Sequence, residues 1–250
     1  MSDAPVRIAM WSGPRNISTA MMRSWGSRLD CAVSDEPLYA HYLSTLDEAK
    51  RSTHPVADQV MGSQPTDWRE VATALTGPIP DGKPIWYQKH MAHHVTGSMD
   101  LEWTSGLTNC FLIRDPRAMI ASFIKVIDSP TPEDLGLPQQ VAIFESVRKR
   151  TGRVPAVIDS CTVLTDPRAA LTALCERTRV PFDDSMLSWE PGPKPEDGVW
   201  APHWYASVYR STGFELYTPT TPEIPDRLLP VLEECQRLFD ILAPHALTID

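Results

Sequence analysis

The sequence predicts an α/β fold, a three-layer sandwich in which a central parallel sheet is flanked by helices. Three observations predict it. Five short apolar runs are continuous rather than alternating, as strands buried on both faces are. Helical patterns, with apolar residues three and four apart, follow several of them. Turn and cap chemistry, Gly-Pro once and Asp-Pro twice, stands at the junctions.

In chain order the predicted strands are residues 8–11, 31–33, 85–87, 110–113 and 156–158. After the first, Ser18 and Thr19 open a helix that carries Ala20, Met21, Met22 and Trp25. After the fourth, Asp115 is a natural N-cap and Pro116 suits the first helical position. Met119, Ile120, Phe123, Ile124 and Ile127 then mark one helical face. The same grammar returns at Asp166-Pro167, with Ala170, Leu171, Leu174 and Cys175 as the apolar positions. A last amphipathic helix is predicted over 227–242, with Leu228, Leu232, Cys235, Leu238, Phe239 and Leu242 inward. Residues 44–84, 128–138 and 190–202 depart from this alternation and read as variable segments, the latter two rich in Pro and Gly. Loops this long are often lids or binding loops.

The 250 residues fit one domain, 1–250, with a single sizeable core. A net charge of −9 argues against a nucleic-acid partner, whose protein surface is normally basic. It leaves room for a small anionic ligand, because a local pocket of arginines can oppose the global sign. No apolar run reaches the ~20 residues of a membrane helix, so no membrane partner is expected. Five scattered cysteines, without a C-x-x-C pair, read as small core hydrophobes in a reducing, cytoplasmic setting. His90, His93 and His94 share one stretch, but no third ligand type completes a metal set, and no metal is expected.

Open parallel sheets bind ligands beyond the carboxyl ends of their strands. The residues following the five predicted strands are Ser12 to Thr19, Asp35-Glu36, Lys89-His90, Arg114 and Asp159. The first segment outlines a P-loop-like phosphate cradle: Gly13-Pro14 turns tightly, and the amides of a helix N-terminus face the anion. Asn16 and Ile17 belong to the same loop, Ser18 and Thr19 add hydroxyls, and Arg15 adds a planar cationic fork. A capped helix with Ser18 as N-cap and a solvated Arg15 is the plainer alternative. A Walker A loop counted from Gly13 would need glycine at 18 and lysine at 19, which are Ser18 and Thr19 here. That counts against a magnesium-dependent kinase.

Pro14-Arg15-Asn16-Ile17-Ser18-Thr19 resembles the loop with which sulfotransferases grip the 5′-phosphosulfate end of their donor. In the family that loop runs proline, a basic residue, a small residue, glycine and two hydroxyl residues, and Ile17 departs from the glycine. Arg114 at a strand end, with Ser122 eight residues on, is similar to the family's 3′-phosphate site. Tyr209-Arg210-Ser211-Thr212-Gly213-Phe214 loosely resembles the C-terminal loop that closes over the 3′-phosphate, through Arg210, Ser211 and Thr212. The likeness runs in order from residue 8 to about 214, and is strongest toward small bacterial-type members of unassigned substrate.

The resemblance implies transfer of a sulfuryl group from 3′-phosphoadenosine 5′-phosphosulfate to a hydroxyl or amine of a small acceptor, without a metal. Arg15 would neutralise charge on the leaving phosphate. Two bases are open. Glu36 stands where many family members place a catalytic glutamate, and His90 where another branch places a histidine after a lysine. Histidine has the better unperturbed pKa, whereas a glutamate needs burial to raise its own. Glu36 is favoured on position. A small-molecule or nucleotide kinase and a non-catalytic nucleotide-binding module are the competing readings. Trp11, Trp86 and Trp103 read as packing; Trp189, Trp200 and Trp204 flank a loop, where packing is the default reading and lining an acceptor pocket or stacking on adenine the alternatives. Acceptor identity stays open, as does oligomeric state, a homodimer included.

Overall fold

A computed structural model describes residues 4–219 and 221–249. Its sheet has five strands: β1 (Val6–Ser12), β2 (Cys31–Asp35), β3 (Ile85–Met91), β4 (Thr108–Ile113) and β5 (Ala156–Asp159). All neighbours pair in parallel, in the order β2-β3-β1-β4-β5.

Alternate side chains of each strand enter opposite layers, and each layer is apolar. Ile8 and Met10 of β1, with Tyr87, Leu112 and Ile158, pack under α1 (Ser18–Gly26) and the helix Pro167–Thr178. Ala9 and Trp11, with Trp86, Phe111 and Val157, pack under the helices Trp68–Thr76 and Leu137–Thr151. Both faces of the sheet are therefore covered, which is why the strands read as continuous apolar runs. A third cluster joins the helix Pro116–Phe123 to the C-terminal helix Leu229–Leu242 through Met119, Ile120, Leu232 and Cys235.

The helix starts follow the predicted caps. The carboxylate of Asp115 accepts from the Ala118 amide at 2.8 Å, and that of Asp166 from the Ala169 amide at 3.0 Å. The first of these helices stops at Phe123, so the predicted face does not extend to Ile127, which is exposed. The 44–84 segment holds several short helices, of which Trp68–Thr76 supplies Val71 and Leu75 to the core. Four of the five cysteines are buried. No helix of the described residues is long and apolar enough to cross a membrane.

β3 differs from its predicted extent for a physical reason. Lys89 and His90 do not follow the strand but lie inside it, because buried partners satisfy Gln88 and Lys89 and the His90 ring stacks on Trp11. The Gln88 amide donates to the Leu75 carbonyl at 2.9 Å, and Lys89 finds carboxylates in the layer above. Period-two alternation then sends Lys89 and His90 to opposite faces.

The chain leaving β1 runs to β2, and the chain leaving β4 runs to β5, in opposite directions across the sheet. The crevice between β1 and β4 is thus the topological switch point, the place where such sheets bind ligands. Gly13 begins the turn there, with no room for a side chain. A Cβ would lie 2.3 Å from the Leu135 carbonyl oxygen and 2.8 Å from the Met119 methyl. Gly13→Ala should destabilise the protein by about 1–3 kcal/mol through overpacking. Chemical denaturation checks this, and an unchanged midpoint would mean the 131–136 loop moves aside freely.

Candidate active site

A cavity of about 660 Å³ opens at the carboxyl ends of the strands. At one end lies the cradle. Arg15 takes a left-handed backbone (φ 57°), while Ile17 has φ −85° and needs no glycine-like freedom. The Asn16 side chain ties the loop down, donating to the Leu112 carbonyl at 3.1 Å and accepting from the Ile17 amide at 2.8 Å. Ile17 is the N-cap of α1 and offers no side-chain cap, so Ser18 is the first helical residue rather than the cap. The first intrahelical bond runs from the Met21 amide to the Ile17 carbonyl. The amides of residues 18–20 precede that ladder, with the positive end of the helix dipole behind them. Ser18, Thr19 and Ala20 line the cavity, whereas Gly13 does not.

Two guanidinium groups converge on this end. Arg15 Nε donates to Ser122 Oγ at 3.0 Å, and Arg114 Nη1 donates to the Arg15 carbonyl. Neither forms an ion pair among the described residues. Burial lowers the Arg114 pKa, and the neighbouring Arg15 charge lowers it further. Two adjacent cations without a counter-ion make a site that an anion would stabilise.

The other end is built on Glu36, which ends the β2 turn with φ 42°. Of the five non-glycine residues with positive φ among those described, only Arg15 and Glu36 line the cavity. Outliers that gather at one cavity point to function there. Lys89 lies opposite Asp35 in the β2–β3 register. Its ammonium donates to Asp35 Oδ1 at 2.8 Å, Glu36 Oε1 at 2.5 Å and the Tyr205 hydroxyl at 2.7 Å. Burial alone would lower the Lys89 pKa, but Asp35 and Glu36 outweigh it and raise it. Burial raises the Glu36 carboxyl above its usual 4.5, against the opposing pull of Lys89.

His90 is not brought to this cavity. It points into the other layer, stacked on Trp11 with ring centroids 4.3 Å apart, and burial lowers its pKa to about 3. The geometry leaves it without access to a cavity ligand. His93 and His94 do line the cavity. Burial lowers His93 to about 3 and His94 well below 6.5, so both are neutral, and His94 Nε2 lies 3.9 Å from Glu36 Oε2. Among the described residues no group of three His, Cys, Asp or Glu is arranged to hold a metal ion.

In the C-terminal segment Ser211, Gly213 and Phe214 line the cavity, while Arg210 and Thr212 do not and are exposed. Trp204 lines the cavity too, but Trp189 and Trp200 are buried, and Trp200 Nε1 donates to the Tyr205 hydroxyl at 3.2 Å. Sequence reasoning placed Lys89 at the binding edge of the sheet without giving it a role, and missed Tyr39, His54 and Tyr205 as site residues. For Tyr205, 116 residues from Lys89, no local pattern existed to find it.

The profile of the sulfotransferase domain matches residues 6–231, nearly the whole of the described fold. The chain belongs to the sulfotransferase-domain family. Two Arabidopsis thaliana proteins, branched-chain-amino-acid aminotransferase-like proteins 1 and 2, are 37% and 35% identical to it over 241 and 238 residues. Those matches cover 96% and 95% of this sulfotransferase-domain chain, but only 42% and 41% of the relatives' own lengths. Among solved structures, the sulfotransferase domain of the curacin biosynthetic pathway superposes with a TM-score of 0.50 at 14% identity, covering 97% of this chain and 99% of that one. The sulfotransferase domain of the Synechococcus PCC 7002 olefin synthase gives 0.52 at 14%, covering 96% of each. At that identity the likeness is one of fold.

The burial of the histidines in this sulfotransferase domain has a direct readout. The imidazole resonances of His90, His93 and His94 should not titrate between about pH 5 and 8, where an ordinary histidine would. A midpoint near 6.5 for any of them, followed by NMR, would contradict the arrangement.

Proposed function

We propose that the chain is an enzyme that moves a sulfuryl group from 3′-phosphoadenosine 5′-phosphosulfate to a hydroxyl or amine of a small acceptor. The observation that carries the reading is one cavity with two unpaired guanidinium groups at one end and a buried carboxylate at the other. In this reading the amides of residues 18–20 and the Ser18 and Thr19 hydroxyls hold the 5′-phosphate. Arg114 and Ser122 bind the 3′-phosphate, and Arg15 faces the bridging oxygen, where negative charge grows as the bond breaks. Ser211 belongs to the segment that closes over the nucleotide. Free, mostly buried cysteines agree with a reducing, cytoplasmic setting.

Glu36 is the base. Lys89 occupies Oε1, which leaves Oε2 to take the acceptor's proton. As the acceptor oxygen or nitrogen forms its bond to sulfur, the bond from sulfur to the donor's phosphate oxygen breaks. The proton goes to Glu36, and 3′,5′-adenosine diphosphate leaves. His90 does not share this role, because its ring lies in the other layer. A base works ionised, so activity should rise with pH through the Glu36 pKa and be lost below it. Since burial raises that pKa, the acid limb should lie above the ordinary glutamate value of 4.5.

Single-turnover rates and nucleotide titrations test these roles together. Glu36→Gln keeps the shape and removes the basicity, so it should lose ~10²–10⁴ in rate, lose the acid limb, and keep its nucleotide affinity. Arg114→Ala should lose most of the preference for a 3′-phosphate, about 1.5–3 kcal/mol for a charged hydrogen bond. A Glu36→Gln protein with wild-type turnover while chemistry limits the rate would remove the base assignment.

A further inference from the structure

The acceptor end of the cavity has a charge balance that limits what can bind there. Five arginine, lysine or glutamate side chains line the cavity: Arg15, Glu36, Lys89, Arg114 and Glu215. The two arginines are at the donor end. Lys89 has three N–H groups, and all three are taken by Asp35, Glu36 and Tyr205. What remains at this end, among the described residues, is the Glu36 carboxylate and no free cation. A carboxylate or phosphate on the acceptor would be desolvated here without a partner and repelled by Glu36.

The other side chains named at this end are aromatic rings with neutral polar edges. Tyr39 stacks on His94 with centroids 4.7 Å apart, and the Tyr39 hydroxyl lies 2.9 Å from His54 Nδ1. His54 and His93 are half-buried and line the cavity, and His93 and His94 each leave Nδ1 without a hydrogen-bond partner among the described residues. Burial lowers the pKa of all three histidines, so they offer hydrogen bonds without charge. Trp204 and Met91 complete an aromatic and thioether wall.

We propose, resting on the sulfotransferase reading above, that the acceptor is an uncharged ring compound with a hydroxyl for Glu36 and a second hydrogen-bonding group for His54 and His93, and that anionic acceptors are excluded. The ring lies against Tyr39, His93 and Trp204. Its reacting hydroxyl approaches Glu36 Oε2, and its second polar group meets the histidine edges.

Three probes on one scaffold test this by calorimetry, each titrated into the full chain with and without 3′,5′-adenosine diphosphate. They are tyrosol, para-ethylphenol and para-hydroxyphenylacetate, which differ in having a neutral, an absent or an anionic second group. Tyrosol should bind about threefold or more tighter than para-ethylphenol, and about tenfold or more tighter than para-hydroxyphenylacetate. His93→Phe keeps the ring and removes its hydrogen bonds. It should bring tyrosol down to para-ethylphenol while leaving the carboxylate penalty in place. Para-hydroxyphenylacetate binding as tightly as tyrosol would overturn the proposal, and so would binding of none of the three. The nucleotide arm keeps the two readings apart. A protein that ranks the probes as expected but ignores the nucleotide loses the donor assignment and keeps the acceptor class. One that binds the nucleotide and favours the anionic probe does the reverse.

Discussion

Lys89 carries an ammonium group into the protein interior, at 1% exposure, and much of the site is arranged around that charge. An unpaired ion at such a depth costs several kcal/mol, so its partners are a structural requirement. They come from two distant parts of the chain. Asp35 and Glu36 arrive at the end of β2, next to β3 by register, and Tyr205 arrives from the segment after residue 190. Burial, with Asp35 beside it, raises the Tyr205 pKa, so the hydroxyl keeps its proton and donates to Asp35 at 2.8 Å while accepting from Lys89 and Trp200. The same segment gives the Gly198 amide to Asp35 Oδ2 at 3.1 Å, where a Cβ would lie 2.1 Å from the Trp200 ring. A buried pair, Arg23 with Asp197 at 2.7 Å, fastens it to α1. The apparent loop at 190–202 is therefore a clamp on the buried charge. Its effect on the site is to hold Lys89 in place and, through it, Glu36 Oε1.

Beyond the clamp the cavity has an electrical direction. At the β1–β4 crevice stand two guanidinium groups that no carboxylate among the described residues pairs with, beside a helix N-terminus without a side-chain cap. At the Glu36 end every positive charge is already compensated. A protein of net charge −9 thus keeps a local positive site at the sheet's switch point, where low-dielectric walls make it stronger than in water. A donor with negative charge at both ends of its nucleotide and an acceptor without charge are the pair that suits this gradient.

The layers of the fold were legible because they rest on local rules. All five strands appear as apolar runs, and both Asp-Pro starts cap helices as their chemistry requires. The tight turn after β1 was legible as a motif, whereas Ser122, expected beside Arg114, accepts its hydrogen bond from Arg15 instead. What escaped was long-range. Gln88, Lys89 and His90 look like the end of a strand, since polar residues usually mark a loop, and only distant partners keep them inside β3. Misplacing that end hid the alternation that turns Lys89 to the cavity and His90 to Trp11. Trp200 read as a loop aromatic and Tyr205 was missed, because a contact across more than a hundred residues has no local signal.

In the proposed function, Arg15 and Arg114 at the switch point read a nucleotide phosphorylated at both its 3′ and 5′ positions. Calorimetric titration of the unmodified protein with 3′,5′-adenosine diphosphate, adenosine 5′-monophosphate and magnesium ATP tests it most directly. The account predicts that the bisphosphate binds tightest, about tenfold or more above the monophosphate, because its 3′-phosphate accepts an additional charge-assisted hydrogen bond. Equal affinity for the bisphosphate and the monophosphate, or tighter binding of magnesium ATP, would contradict it.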